Sequence, residues 1–510
     1  MPTLADLPKI LHDAGYTREA LTKIGGRLPN GRTLDPTVIE ETTKVPGRAN
    51  TLTRLFFMGR PMPRAAVEEA LTAPMCALLE DEGILVSEAD GGDGGDGGDG
   101  GGSMRATCAV VPSVNFLCLR DFESWSTGKP LPQNYVLGVG VASVVLAEFT
   151  VRRKGERVLD IGTGQGFQAA MAAEHAASVL GTDINKRALQ LAALAMRLND
   201  VKNVELREGS FFEPVEAEKG TFDLLISNPP FVIAPPHDLA AIGGRWTGDS
   251  FVENLIKRTP EFLAEGGWST IMCNWHHPTR EDWKSRPASW IEGRGVDAWV
   301  VNIKMDDPRT YATNWLRETA STDSTQAMTE AMSHVDVWLE YYKTLNVGAV
   351  SLGVVFMRKR TVTAGGGQPA NWLRMEVQKM DNYHGHAGEQ VQRLFAGETA
   401  LRGLKTESDV LDLRLVPSDK CELDQRQKLV DGRWKPFSTV LRQTEGFEFS
   451  IAMDELPQIV LSKLDGKHTA REVIGQMAAA MKADPAVAYA QTAPFLAKII
   501  RMSHVGVHGK

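Results

Sequence analysis

Asn228-Pro229-Pro230-Phe231 closes an apolar, strand-like stretch over residues 222–227. Two consecutive prolines remove backbone donors and fix φ, so they end ladder pairing and hold the chain stiff. The amide oxygen of Asn228 and the carbonyl of Pro229 can then accept both hydrogens of one planar NH2 group, which leaves its lone pair aimed at an electrophile. The Phe231 ring offers a face on which a planar group can stack. Such a nitrogen needs no strong base, because it becomes acidic only as its new bond forms. The plainer alternative is a proline-rich turn with a packed Phe.

Upstream lies Val158-Leu159-Asp160-Ile161-Gly162-Thr163-Gly164-Gln165-Gly166. Residues 158–161 read as a buried parallel strand and 166–177 as an alanine-rich helix. Glycines between them give a tight turn and let backbone amides approach a ligand. A second strand over 178–182 ends at Asp183, about twenty residues past the loop, the spacing that places a carboxylate on a ribose diol. No Gly-Lys-Ser/Thr follows, which argues against a nucleoside triphosphate. Asp160 would repel a pyrophosphate and suits a ligand with a cationic amino-acid moiety.

Residues 156–305 resemble the catalytic core of class I S-adenosylmethionine-dependent methyltransferases. Within these they are similar to the Asn-Pro-Pro-Tyr/Phe branch, which includes release-factor glutamine methyltransferases and exocyclic-amine methyltransferases of DNA and RNA. The resemblance implies S-adenosylmethionine as cofactor and a Rossmann-like sheet of seven strands, the last antiparallel. It implies that Gly162, Thr163, Gly164 and Gly166 wrap the methionine part, with Asp160 nearby, and that Asp183 and Ile184 meet the ribose. Asn228, Pro229, Pro230 and Phe231 would hold the acceptor, with Asn228 also bordering the cofactor. Relatives often carry an acidic residue after the third strand; here Ser210 stands there, and with Phe211 it is the implied adenine contact. The whole chain also looks like a group of large, mainly bacterial methyltransferases with extra domains at both ends.

Composition agrees with a globular enzyme. At 510 residues the chain is long enough for about three cores. No apolar run reaches spanning length, and no signal-peptide pattern opens the chain, so the expectation is a cytoplasmic protein with no membrane association. The five cysteines are scattered and never in a Cys-x-x-Cys pair, which reads as reduced thiols and no zinc cluster. His384-Gly385-His386 lacks an evident third ligand, so no metal is expected. A net charge of −8 argues against a broad polyanion surface but leaves room for a local one. Residues 1–64 carry ten Lys/Arg against six Asp/Glu. Arg152-Arg153-Lys154 and Arg358-Lys359-Arg360 are short basic clusters that read first as solvated edges.

Three domains are expected. Residues 1–132 read as helices followed by a hairpin, a winged-helix-like module with a flexible Gly/Asp-rich insert at 90–103. Residues 133–361 form the α/β core, with helices over 249–264, 280–292 and 324–345, and strands over 267–274, 296–303 and 349–357. Small residues over 138–143 would let a helix start close to the cofactor. The loop 243–249 could close over the substrate with Trp246 as a stacking surface, or be a turn capped by Asp249. Trp275-His276-His277 reads as a core edge. Residues 361–369 are a joint. Residues 370–510 form an α+β domain whose end, with a capping box at Thr469–Glu472, resembles small winged-helix peptide-recruiting modules. The combined expectation is an N-methyltransferase acting on a planar amide or exocyclic amine of a macromolecule, an RNA or DNA base or a protein glutamine. The alternative is a non-catalytic S-adenosylmethionine sensor or a peptide- or nucleic-acid-recruiting protein. The oligomeric state is not legible.

Overall fold

The structure is a computed structural model and describes residues 2–25, 36–88, 102–129, 131–236, 246–319, 329, 332–361 and 369–508. Most of the Gly/Asp insert, Gly243 to Arg245, most of the 361–369 joint and the first part of the expected 324–345 helix lie outside the described residues.

The centre is an eight-stranded sheet. Its strands are β1 (Arg157–Ile161), β2 (Ser178–Asp183), β3 (Val204–Glu208), β4 (Phe222–Ser227), β5 (Leu263–His277), β6 (Val296–Asp306), β7 (Ala349–Lys359) and β8 (Leu373–Val377). Their order is β8-β6-β7-β5-β4-β1-β2-β3. Only β7 runs antiparallel to its neighbours, β5 and β6. β1 and β4 are buried almost without interruption, as central parallel strands covered on both faces must be. The strand order reverses between β1 and β4, where open α/β sheets form their ligand crevice.

The seven expected strands are present, and an eighth is added. β8 pairs in parallel with β6 and comes from the segment after the joint, so the C-terminal region extends the core sheet. The helix α1 (Val141–Phe149) starts from Gly140, followed by α2 (Phe167–Ala173), α3 (Lys186–Leu198) and α4 (Ser250–Phe262). α2 is shorter than the expected 166–177. The helix expected over 280–292 is regular only at Ser285–Ile291. The helix α5 (Pro308–Thr319) is also beyond the sequence reading; it is followed by α6 (Val335–Thr344), the described part of the expected long helix.

The N-terminal region has helices followed by a small antiparallel sheet of Met62–Pro63, Ser103–Ala106 and Leu85–Glu88. The chain leaves this sheet at Thr107-Cys108, and Ala109–Ser113 pairs with Phe116–Arg120 instead. That hairpin docks on α3. The Asn199 amide accepts from the Leu117 N–H (2.8 Å) and donates to its carbonyl (3.0 Å).

The C-terminal region has two parts. Helix α7 (Gly388–Arg402) lies against α1 and the sheet, with Phe395 touching Trp268 and Trp372 at ring separations of 4.8 and 4.7 Å. Gly388 fits there because a Cβ would stand 2.5 Å from the Thr150 carbonyl. Helices Glu455–Leu461, Ala470–Ala480 and Pro485–Arg501 build a separate core with strands Arg414–Pro417 and Val505–His508. Thr469 caps its helix as the sequence implies. The strand Arg414–Pro417 is preceded by a 3-10 turn, Glu407–Asp412. A long hairpin, Cys421–Val430 with Arg433–Gln443, joins the two parts.

Candidate active site

The C-terminal ends of β1, β2, β3, β4 and β5 open into one cleft of about 1550 Å³. That exceeds the ~300–1,000 Å³ of a usual small-molecule pocket, so a cofactor leaves room for part of an acceptor.

The loop after β1 is built by left-handed glycines, with φ of 72° at Gly162, 57° at Gly164 and 88° at Gly166. The three differ in purpose. A Cβ at Gly162 or Gly164 would meet nothing within 4 Å, and both residues line the cleft. A Cβ at Gly166 would stand 2.6 Å from Met196 Cε. Gly166 therefore lets α2 approach α3 and does not line the cleft, contrary to its expected place around the methionine part.

Asp160 is fully buried beneath the loop rather than on the cleft wall. Thr163 Oγ1 donates to its Oδ2 (2.6 Å), while Oδ1 has no partner. Burial pushes its carboxyl up to about 7, with the Thr163 hydrogen bond opposing and the Asp183 charge adding to the rise. Asp183, at the end of β2, accepts from the Gly164 N–H (2.8 Å) and the Asn185 N–H (2.8 Å). Burial raises its carboxyl too, against those N–H groups. Asp183 thus fixes the glycine loop as well as facing the cleft, beside Ile184.

Ser210 and Phe211 line the opposite end. Phe211, Phe251 and Trp246 form an aromatic group, with Phe211–Phe251 and Trp246–Phe251 centroids 4.8 and 5.2 Å apart. Trp246 lines the cleft as the stacking reading requires. Asp249 is not a side-chain cap. It is buried, accepts from the His276 N–H (3.1 Å) and pairs with Arg286. His277 is buried between Thr279 and Ser351, the core-edge role expected for it.

Asn228 is half-buried at the end of β4. Its Nδ2 donates to Ser143 Oγ near the start of α1 (3.0 Å), which turns Oδ1 the other way. Oδ1 is buried without a partner. Pro229, Pro230 and Phe231 also line the cleft, and Phe231 packs near Trp315 of α5 at 6.5 Å. The chain after Phe231 is held by Tyr311, whose hydroxyl accepts from the Ile233 N–H (3.1 Å) and from Asn274 Nδ2 (2.7 Å). Asn274 Oδ1 is likewise buried and unpartnered. Ser143, Asn274, Tyr311 and Trp315 are site residues that motif reading does not supply. Ser143 falls in the small-residue run 138–143, and Asn274 had the signal of a polar residue at the carboxyl end of a parallel strand; Tyr311 and Trp315 had none.

The segment 133–138 also lines the cleft, tied down by Asn185 Nδ2 to the Asn134 carbonyl (2.9 Å). Among the described residues, no group of three or more His, Cys, Asp or Glu could hold a metal, and His384 sits by Glu448 (3.1 Å). All five cysteines are free. No helix among the described residues is long and apolar enough to cross a membrane.

A family model described as methyltransferase small domain matches residues 138–285. A release factor glutamine methyltransferase of Aliivibrio fischeri is 34% identical over 22% of this chain and 44% of its own. A protein of Methanocaldococcus jannaschii, provisionally named protein N5-glutamine methyltransferase, is 32% identical over 26% of this chain and 68% of its own. The chain belongs to the class I S-adenosylmethionine-dependent methyltransferases of the Asn-Pro-Pro-Tyr/Phe branch. A ribosomal RNA small subunit methyltransferase C of an Enterobacter species is 31% identical over 27% of this chain and 36% of its own. The chain spans about half the length of the release-factor relatives it matches. As a member of this methyltransferase family it takes S-adenosylmethionine as its cofactor. Its own residues fit that ligand: open space faces Gly162 and Gly164, and the Asp183 carboxylate stands beside them on the cleft wall.

Proposed function

We propose that this protein transfers a methyl group to a planar amide or exocyclic amine nitrogen of a macromolecule. The observation that carries the reading is the buried, unpartnered Oδ1 of Asn228, with the amide's other end held by Ser143. A buried acceptor without a partner costs about 1–3 kcal/mol, and a planar N–H donor from a substrate relieves it. S-adenosylmethionine, when bound, supplies an electrophilic methyl group on a sulfonium.

In this reading Gly162, Thr163, Gly164, Asp183 and Ile184 hold the cofactor's amino-acid and ribose parts, with Asp160 below them. Ser210, Phe211, Phe251 and Trp246 flank its adenine. Asn228 Oδ1 and the Pro229 carbonyl take the two N–H groups of the acceptor, and Phe231 bounds its plane. Tyr311 keeps the segment after Phe231 in place. Rate comes from orientation, which is worth up to ~7–11 kcal/mol when reacting groups are held in line. No side chain need remove the proton before attack.

The acceptor is a protein glutamine or a nucleic-acid base, since both present this NH2 geometry and relatives are named for release-factor glutamine and for ribosomal RNA. Incubating the full chain with methyl-labelled cofactor and a cell extract tests the reading. Label should enter macromolecules, and sensitivity to protease or nuclease assigns the class. Cofactor binding with no label transferred and no S-adenosylhomocysteine formed would refute transfer and favour a sensor.

A further inference from the structure

We propose that the long C-terminal hairpin is a docking arm for single-stranded nucleic acid. The inference does not depend on the methyl-transfer reading. The strands Cys421–Val430 and Arg433–Gln443 pair along their whole length, but only Val440 to Arg442 gain a further partner, the short strand Ser450–Ala452. The outer part, residues 425–438, is therefore a bare two-stranded ribbon, roughly 20 Å long at the usual strand rise.

Its register sorts the side chains by chemistry. Residues directly opposite share a face, and alternate residues along a strand return to it. Val430 faces Arg433, Lys428 faces Lys435, and Arg426 faces Ser438. Arg426, Lys428, Arg433 and Lys435 thus stand on one face, all exposed. Among the described residues none of the four has an ion-pair partner, whereas Asp424, the next residue on that face, is taken by Arg442. Asp431 at the turn is the only acid in residues 425–438, in a chain whose net charge is −8. Like charges directly opposite, as in Lys428 and Lys435, destabilise a free ribbon. A polyanion lying along this face removes that repulsion.

The other face is apolar. Leu429 is opposite Trp434, and Gln427 is opposite Pro436. Trp434 is 67% exposed and Leu429 54% exposed; Phe437, the extra residue at a bulge, is 62% exposed. A single strand that crosses the edge of the ribbon meets unpaired cations with its backbone on one face and exposed rings with its bases on the other, the two components of a single-strand site. A duplex would hide its base faces from Trp434. Just past the root of the arm, Phe447 bridges Tyr383, whose N–H donates to the carbonyl of Met380 (3.1 Å), a residue that lines the cleft.

Fluorescence anisotropy of the full chain with a labelled, mixed-sequence single-stranded RNA, over a range of salt, tests the arm. Removing the four charges together (R426Q, K428Q, R433Q, K435Q) should weaken binding at least tenfold. It should also flatten the salt dependence by about two to three in log–log slope, at roughly 0.7 per lost phosphate contact. Trp434→Ala should weaken binding about tenfold with the salt slope unchanged. Melting temperature and S-adenosylmethionine affinity should be unaltered in both, so a folding defect is recognisable. Equal RNA binding by the native and four-charge proteins overturns the proposal. So does tighter binding to a polyglutamate peptide or to phosphatidylglycerol vesicles than to the RNA.

Discussion

Asp160 and Asp183 show how two carboxylates near one ligand divide their work. Asp183 spends hydrogen-bonding capacity on the Gly164 and Asn185 N–H groups, so losing it should both loosen the loop and remove a ligand contact. Asp183→Ala should weaken cofactor binding by about 1.5–3 kcal/mol and lower folding stability by about 1–2 kcal/mol, read by calorimetry and denaturant melts. Unchanged affinity in a folded variant would remove Asp183 from the cofactor site. Asp160 makes a pH prediction. Its carboxyl moves from an ordinary 3.8 up to about 7 because burial disfavours the charge. The folded protein therefore binds more protons than the unfolded chain between those values, and cofactor-free stability falls as pH rises through that window, then levels off. Asp160→Asn should flatten this fall, so that the variant gains melting temperature relative to the native protein at about pH 8 and not at about pH 4. An identical pH profile in the variant would assign the titration elsewhere.

The elements around β1 separate packing from binding among look-alike residues. Gly162 and Gly166 both have left-handed φ, yet only Gly166 meets side chains behind it. Gly166→Ala should cost about 1–3 kcal/mol of stability from φ strain and crowding against Met196 and Ala192, with cofactor affinity changed little once folded. Gly162→Ala should show the opposite balance, losing affinity more than stability. Equal effects of the two on affinity would contradict the division. The sequence cannot make this distinction, because it prints three identical glycines, and only the approach of α3 tells them apart. The Asn228 motif is legible because two prolines leave the backbone few choices. α5 is not legible: its buried side is the narrow set Tyr311, Ala312 and Leu316, too few to write a helical period. The long hairpin carries an Asp-Gly turn, a recognised hairpin signal, but its outer strands have no buried face and so no alternation to read. β8 is hidden for a related reason. It is a short, half-buried edge strand whose identity comes from pairing with β6.

At the scale of the molecule, the C-terminal region is part of the catalytic body as well as an appendage. α7 covers Trp268, and Phe447 packs on Phe149 and Trp299 at 5.0 and 5.2 Å. A chain cut after residue 361 loses β8, α7 and Phe447 and bares a wide apolar surface, so it should aggregate or melt without cooperativity. A soluble, cooperatively melting fragment would show that the core is independent. The last helices of the chain are legible from the capping box at Thr469 and from their apolar periods, because they pack around a core of their own. The attachment of α7 is not, since it depends on surfaces far apart in the chain. In the proposed reaction this whole assembly aims a planar nitrogen at the cofactor through Asn228. The most direct measurement is single-turnover transfer of labelled methyl by full-length native protein and Asn228→Ala, on the macromolecular fraction that the native protein labels. The account predicts a rate lower by roughly 10²-fold or more in the variant, the scale of losing an orienting contact, with cofactor affinity within a few-fold of native. Native turnover by Asn228→Ala would contradict it and leave residues 228–231 as a structural turn.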